Sequence, residues 1–250
     1  MAAGARDLAG YRDRWLAKPV LRALYTDMYR RMAAELAPGP TLELGGGSGN
    51  FASFAPDVIA TDIIAAPWLD AVCDAQQLPF ADGCFANIVL FDVLHHVERP
   101  VRFLREAARV LRPGGRIVLC EPAITPLSGL FYRFLHPEPV AMRADPLADG
   151  PLTPGRDPYD ANQAIPTLLF RRRGHAALAD AVPALRLLRQ QRLSLLAYPL
   201  SGGFRSWTLV PAAAVPALLR AEDVLLPLLG PLMAFRLLAV VERLGEAGAT

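Results

Sequence analysis

An α/β fold built on a doubly wound, mostly parallel sheet with helices on both faces is predicted by three features of the chain. Between residues 40 and 122, short apolar runs alternate with amphipathic segments, the pattern of strands joined by crossover helices. The runs are nearly continuous in apolar residues, Phe85-Ala86-Asn87-Ile88-Val89-Leu90-Phe91 above all, as strands covered on both faces must be. Acids stand at the ends of the runs, namely Glu43, Asp62, Asp74, Asp92 and Glu121. Carboxylates would therefore gather along one sheet edge, where open α/β sheets bind ligands.

The 250 residues suit one such domain with a small appendage, and 53% hydrophobic against 20% charged content excludes a largely disordered chain. A formal net charge of +2 gives no reason to expect nucleic acid as a partner. Lys18 is the only lysine among 26 basic residues. Cys73, Cys84 and Cys120 are odd in number and lack metal-ligand spacing, so they read as small apolar residues of a reducing compartment. No basic head followed by an apolar core opens the chain, where Arg6 and Asp7 stand among alanines. A cytoplasmic location is the expectation.

Residues 1–37 form the first unit, a helical cover: Leu21, Leu24, Tyr25, Met28 and Met32 share one helical face. That face is read as packed on the domain, or as a lid over the pocket beside it. Pro38-Gly39-Pro40 ends the helix and opens the core unit, 38–122. Strands are expected at 41–44, 58–62, 69–74, 85–91 and 116–121, with a short helix at 51–55. An amphipathic helix carries Val101, Leu104, Ala108 and Leu111, with Arg102 and Glu106 spaced for an i,i+4 pair. A third unit, 123–175, begins with a helix over 127–135 and continues as a proline-rich, aperiodic stretch. It reads as a lid-like insert, since long loops without regular structure are usually functional or disordered. The fourth, 176–210, would end the sheet. A helix over 176–190, divided at Pro183, leads to an antiparallel hairpin of 193–200 with 204–210 around Ser201-Gly202-Gly203. The last, 211–250, is an apolar helical segment whose longest charge-free piece, Val224 to Phe235, is twelve residues. That is short of the ~20 needed to span a bilayer. It is expected to be buried, to form a homodimer, or to meet a lipid or membrane surface through 211–244.

The core unit is organised around Glu43-Leu44-Gly45-Gly46-Gly47-Ser48-Gly49. Glycines so dense imply a tight turn or a close ligand approach. Between a strand and a helix, the turn would offer backbone N–H groups to an anionic group. Asp62, nineteen residues after Glu43, ends the next strand, where a carboxylate can accept hydrogen bonds from the two hydroxyls of a ribose. Glycines at intervals of two depart from the dinucleotide fingerprint, which disfavours a nicotinamide- or flavin-linked oxidoreductase.

The acid-x-Gly-x-Gly-x-Gly pattern of residues 43–49 resembles the first motif of class I S-adenosylmethionine-dependent methyltransferases. The order of Asp62, Asp74-Ala75, Leu78-Pro79-Phe80, the segment 91–96 and Leu111-Arg112-Pro113-Gly114-Gly115 is similar to the small-molecule branch that includes the ubiquinone and menaquinone enzymes. The resemblance covers about residues 40–122 and implies a Rossmann-like sheet, S-adenosyl-L-methionine as cofactor and a small-molecule acceptor. It also implies roles for residues. Glu43, Gly45, Gly47 and Gly49 would surround the methionyl part, with Phe91 near it. Asp62 would hold the ribose, Ile63 would pack on the adenine, and Asp74 with Ala75 would meet the adenine amino group.

Transfer from a sulfonium needs chiefly in-line alignment and removal of water. A base matters only for an acceptor that arrives protonated, and His96, then His95, are the candidates just past a strand end. Either histidine could instead cap a turn. No metal is expected, because only His136 and His175 remain and both are distant in sequence. Glu121 is read as a second acid of the pocket or as a salt-bridge or cap residue. Tyr132 belongs to the core or touches the acceptor, and Arg171-Arg172-Arg173 form a solvated face or an anion site. An oxygen acceptor is the first expectation, with carbon and nitrogen following. A hydrophobic or lipid-linked acceptor fits the apolar C-terminal third. The alternative is a non-catalytic, cofactor-binding regulatory or scaffolding module.

Overall fold

The structure, a computed structural model, describes residues 8–245. The expectations for the first residues, including Arg6 and Asp7, and for the last five lie outside the described residues. Helices α1 (Leu8–Ala17) and α2 (Pro19–Ala33) lead into strands β1 (Thr41–Leu44), β2 (Val58–Asp62), β3 (Ala71–Val72) and β4 (Phe85–Phe91). Helix α3 (Pro100–Val110) connects to β5 (Leu111–Pro122), followed by α4 (Pro126–Leu135), α5 (Ile165–Phe170) and α6 (Arg172–Ala181). The chain closes with β6 (Leu185–Leu193), α7 (Ala197–Ser201), α8 (Val215–Met233) and β7 (Arg236–Arg243). The sheet has seven strands in the order β3-β2-β1-β4-β5-β7-β6. The first five run parallel, and β7 is antiparallel to both its neighbours.

Alternate residues of the central strands feed two cores. Leu42, Leu44, Ile88, Leu90, Ile117 and Leu119 pack against Val101, Phe103, Leu104 and Leu169 on one face. Val89, Val118, Cys120 and Val240 pack against Leu21, Leu24, Tyr25 and Met28 of α2 on the other. Helix α2 is thus a core element, while Tyr25 and Tyr29 on it also face the ligand cavity described below. Thr125 caps α4, accepting from Ser128 N while Ser128 Oγ accepts from Thr125 N.

Four expectations are corrected. The antiparallel pair exists, but it is β6 with β7, separated by helices, and not a hairpin of 193–200 with 204–210. The expected strands instead form α7 and an irregular loop. Lys18 Nζ holds that loop, donating to the carbonyls of Gly203, Arg205 and Trp207 at 2.7, 2.7 and 2.8 Å. Second, the expected helix over 176–190 stops at Ala181, and Leu185–Leu193 is the edge strand. Arginines on that strand face solvent, as suits an edge. Third, the last segment is not all helical, because β7 lies between β5 and β6. A strand buried on both faces is a plain apolar run, and periodicity cannot tell it from a buried helix. Arg102 does not pair with Glu106, which instead binds Arg109 at 2.8 Å and accepts from Leu78 N.

Candidate active site

The parallel strands end on one edge, and the β1 loop there is drawn tight by its own sequence. Gly45 has φ +67°, and a Cβ on it would lie 2.2 Å from Val93 Cγ2. No side chain fits there, and the loop can therefore press against the turn that follows β4. Gly46 N donates to Thr61 O at 2.8 Å, and Gly47 N to the Asp62 carboxylate at 3.0 Å. Trp68 Nε1 donates to Gly47 O at 2.8 Å, and Arg12 reaches Ser48 O at 2.7 Å while lying over the Trp68 ring. After this loop the chain forms only a single 3₁₀ turn, Phe51–Ser53. The expected helix N-terminus is absent, so no helix dipole is aimed at the cavity.

A cavity of about 260 Å³ opens here. Glu43, Gly45, Gly47, Asp62, Ile63, Asp74, Ala75 and Phe91 all line it. Gly49 does not belong to that lining; at φ +71° it packs against Trp68. A Cβ at Gly47 would meet nothing closer than 3.8 Å, so the loop leaves room in front of it. Glu43 is buried, and its Oε2 has no hydrogen-bond partner. Burial first, then the nearby Asp62 and Asp70, push its carboxyl up to about 8. Tyr25, Tyr29 and Phe204 close the cavity from the other side.

A second cavity of about 530 Å³ adjoins the first, sharing Tyr11, Tyr25, Asp92, His96, Tyr159 and Phe204 as walls. Phe131, Tyr132, Tyr198 and Trp207 give it an aromatic lining, and Arg236 and Glu138 supply charge. Arg236 is buried between the rings of Phe91 and Tyr198, 5.1 Å from each centroid. Its Nη1 lies 2.6 Å from Asp92 Oδ1, off hydrogen-bond geometry. Asp92 itself has φ +58°, strained for a residue that is not glycine.

Glu121 fixes the turn after β4. One of its oxygens accepts from Val93 N and Leu94 N at 2.8 and 2.7 Å, and the other from His95 Nδ1 at 2.6 Å. His95 Nε2 lies 3.5 Å from Glu138 Oε2. Burial pulls His95 down, but Glu121 and then Glu138 outweigh it and raise its pKa to about 9. His95 is therefore charged between two carboxylates and has no lone pair to accept a proton. His96 faces both cavities, and its Nδ1 is buried without a hydrogen-bond partner. Burial and the charge of His95 lower it to about 4, so it is neutral near pH 7. Sequence reasoning did not find Arg236, Glu138 or Tyr29 of α2. Arg236 carried no signal, standing alone in an apolar run, and Glu138 sat in an aperiodic loop.

Comparison with known proteins matches residues 42–119 to a methyltransferase domain family. A demethylmenaquinone methyltransferase of Mycolicibacterium vanbaalenii is 41% identical over 86 residues, covering 34% of this chain and 36% of the relative. The ubiquinone/menaquinone biosynthesis C-methyltransferase UbiE of Desulfotalea psychrophila is 41% identical over 65 residues, 26% of each chain. The similarity thus spans about a third or less of these curated relatives. Among solved structures, an S-adenosylmethionine-dependent methyltransferase of Thermotoga maritima is 16% identical with a TM-score of 0.53, over 93% of this chain and 94% of that one. The [4+2]-cyclase SpnF is 17% identical with a TM-score of 0.51, over 89% and 82%. At such identities these structures show the fold alone.

Residues 42–119 thus resemble a methyltransferase domain, set in a fold shared with a solved S-adenosylmethionine-dependent methyltransferase. Over the matched residues the chain is similar to quinone-biosynthesis methyltransferases.

Proposed function

We propose that this chain transfers a methyl group to a small acceptor with a hydrophobic body, bound in the second cavity. The observation that carries the reading is the shared wall. A cleft lined by the acids and glycines of the motif shares Tyr25, Asp92 and His96 with a larger aromatic chamber beside it. When bound, S-adenosylmethionine supplies the methyl group on its sulfonium. Glu43 would receive the ammonium of the methionyl part, as the partnerless Oε2 suggests, with the Gly45–Gly47 backbone alongside. Asp62 would take the ribose hydroxyls, and Ile63 would pack on the adenine. Asp74 and Ala75 would meet the adenine amino group, and Phe91 would lie near the methionyl part. Gly49 would act only through the turn.

Alignment and exclusion of water carry most of the transfer in this proposal. For an acceptor arriving as a hydroxyl, His96, neutral and lining both cavities, is the available proton acceptor. Oxygen stays the first acceptor atom. Carbon comes second, supported by the C-methyltransferase name of one relative. A lipid-linked acceptor is supported by the exposed side chains Phe134, Leu135 and Trp207, the last two of which also line the second cavity. No helix among the described residues is long and apolar enough to cross a membrane.

Calorimetry with S-adenosylhomocysteine, followed by turnover of S-adenosylmethionine with hydroxylated naphthoquinols of short and long tail, tests the reading. Micromolar binding and quinol-dependent formation of S-adenosylhomocysteine are expected. Binding without turnover on any quinol, phenol or amine acceptor would instead favour a non-catalytic module.

A further inference from the structure

The wall of the second cavity brings together three groups that the sequence keeps far apart. His95 and His96 follow β4, and Glu138 comes from the loop after α4. One ligand atom from each lies within 4.8 Å of the others. His95 Nε2 and Glu138 Oε2 are 3.5 Å apart. Two ligands sharing a tetrahedral ion at ~2.0–2.1 Å stand roughly 3.3–3.4 Å apart, close to the spacing found.

The supporting contacts are those that orient metal ligands. Glu121 holds His95 Nδ1 at 2.6 Å, which aims Nε2 at the cavity. The Tyr159 backbone bonds the His96 ring, while Nδ1 of that ring is buried with no partner. Gln163 Nε2 donates to Glu138 Oε2. In the neighbouring cluster of Asp92, His95 and Glu121, Glu121 is saturated by Val93, Leu94 and His95, and Asp92 is charge-paired with Arg236 at 2.6 Å. His136 is engaged through Nδ1 by Glu138 N at 3.4 Å.

We propose that His95, His96 and Glu138 form a site for a divalent first-row transition ion of the Zn²⁺ class, open on the side of the second cavity, with His95 giving up its Nε2 proton to solvent as the ion binds. Two imidazoles and one carboxylate suit such ions over Mg²⁺ or Ca²⁺. Three protein ligands with a free position are the arrangement of a catalytic, not a structural, site. The free position would take an acceptor oxygen and lower the pKa of its hydroxyl, replacing the proton-accepting role of His96. That last clause rests on the methyl-transfer reading; ion binding does not.

The test uses untagged full-length protein, freed of metal with EDTA and titrated with Co²⁺ as a spectroscopic probe, then with Zn²⁺ in competition. One Co²⁺ per chain is expected, with the ligand-field absorption of a four- or five-coordinate site, displaced by Zn²⁺. His96→Gln and Glu138→Gln should each weaken binding at least about tenfold, whereas His175→Gln should leave it unchanged. Absence of a stoichiometric site in the wild type, or variants at 96 and 138 that bind as the wild type does, would overturn the proposal. Circular dichroism and S-adenosylhomocysteine binding in EDTA report on the fold of each variant. S-adenosylhomocysteine binding and turnover without ion binding would remove the ion site alone. Stoichiometric ion binding without either would remove the methyl-transfer reading alone.

Discussion

Glu43 makes the cofactor reading measurable as a proton. Its carboxyl is buried, with Oε2 unpartnered, Asp62 and Asp70 nearby and the phenol of Tyr29 across the cavity. With a pKa of about 8 it is roughly nine-tenths protonated at pH 7 in the free protein. An ammonium docked against Oε2 would ionise it, at a cost of about 1.4 kcal/mol at pH 7. Binding should then release close to one proton, about 0.9 at pH 7. Calorimetry with S-adenosylhomocysteine in phosphate and in Tris reads this from the dependence of the observed enthalpy on buffer ionisation. In Glu43→Gln the release should fall to whatever the ligand's own amine contributes. Wild-type affinity should rise with pH up to about 8, approaching about tenfold per unit below pH 7. The variant should bind about tenfold more weakly at pH 8, with the gap closing as the pH falls. The stability effect has the opposite sign. The folded protein keeps this proton from pH 4.5 up to about 8 while the unfolded chain has released it. Glu43 thus lowers stability by about 1.4 kcal/mol per pH unit as pH rises through that window, and Glu43→Gln should flatten the slope. An equal proton inventory in wild type and variant would refute the assignment of Glu43.

Three further outcomes are expected. Gly45→Ala places a Cβ 2.2 Å from Val93 Cγ2 at φ +67°. It should cost about 2–4 kcal/mol in thermal or urea unfolding; an unchanged midpoint would mean that the loop is not held against the β4 turn. Lys18→Met removes an ammonium that bonds three carbonyls of the 203–207 loop. A loss of about 2–3 kcal/mol and faster amide exchange at Arg205 and Trp207 are expected, and unchanged exchange would count against it. Asp62→Ala should lose roughly 1–3 kcal/mol of S-adenosylhomocysteine affinity. Because Asp62 also accepts from Gly47 N and Ile64 N at 3.0 Å, Asp62→Asn, which keeps one acceptor oxygen, should recover part of that loss.

The parallel half of the sheet was legible because each of its strands is a short apolar run between turn residues. Strand bounds at 41–44, 58–62 and 85–91 follow directly from Pro40, Gly45, Pro56 and Gly83. The antiparallel end was not. Leu185–Leu193 has leucines at spacings that fit helix and strand alike, and Arg236–Arg243 follows an apolar helix without a glycine between them. Helix α8 continues through Pro227 and Pro231. Pairing partners fifty residues apart leave no mark in a local window.

The Glu43–Gly49 loop shows how far the sequence alone reaches. Spacing and residue type determined a tight glycine turn, an acid beside it and a carboxylate at the end of the next strand, because those follow from backbone geometry over a few residues. The tertiary structure decided which oxygens have no partner, and that no true helix follows the loop. It also decided that a tyrosine-bearing helix closes the cleft and that Glu138 meets two histidines more than forty residues away. Burial and charge neighbours set Glu43, His95 and His96 far from their ordinary pKa values and in different directions. Those shifts depend on groups that meet only when the sheet is assembled, and the chemistry of the site depends on them.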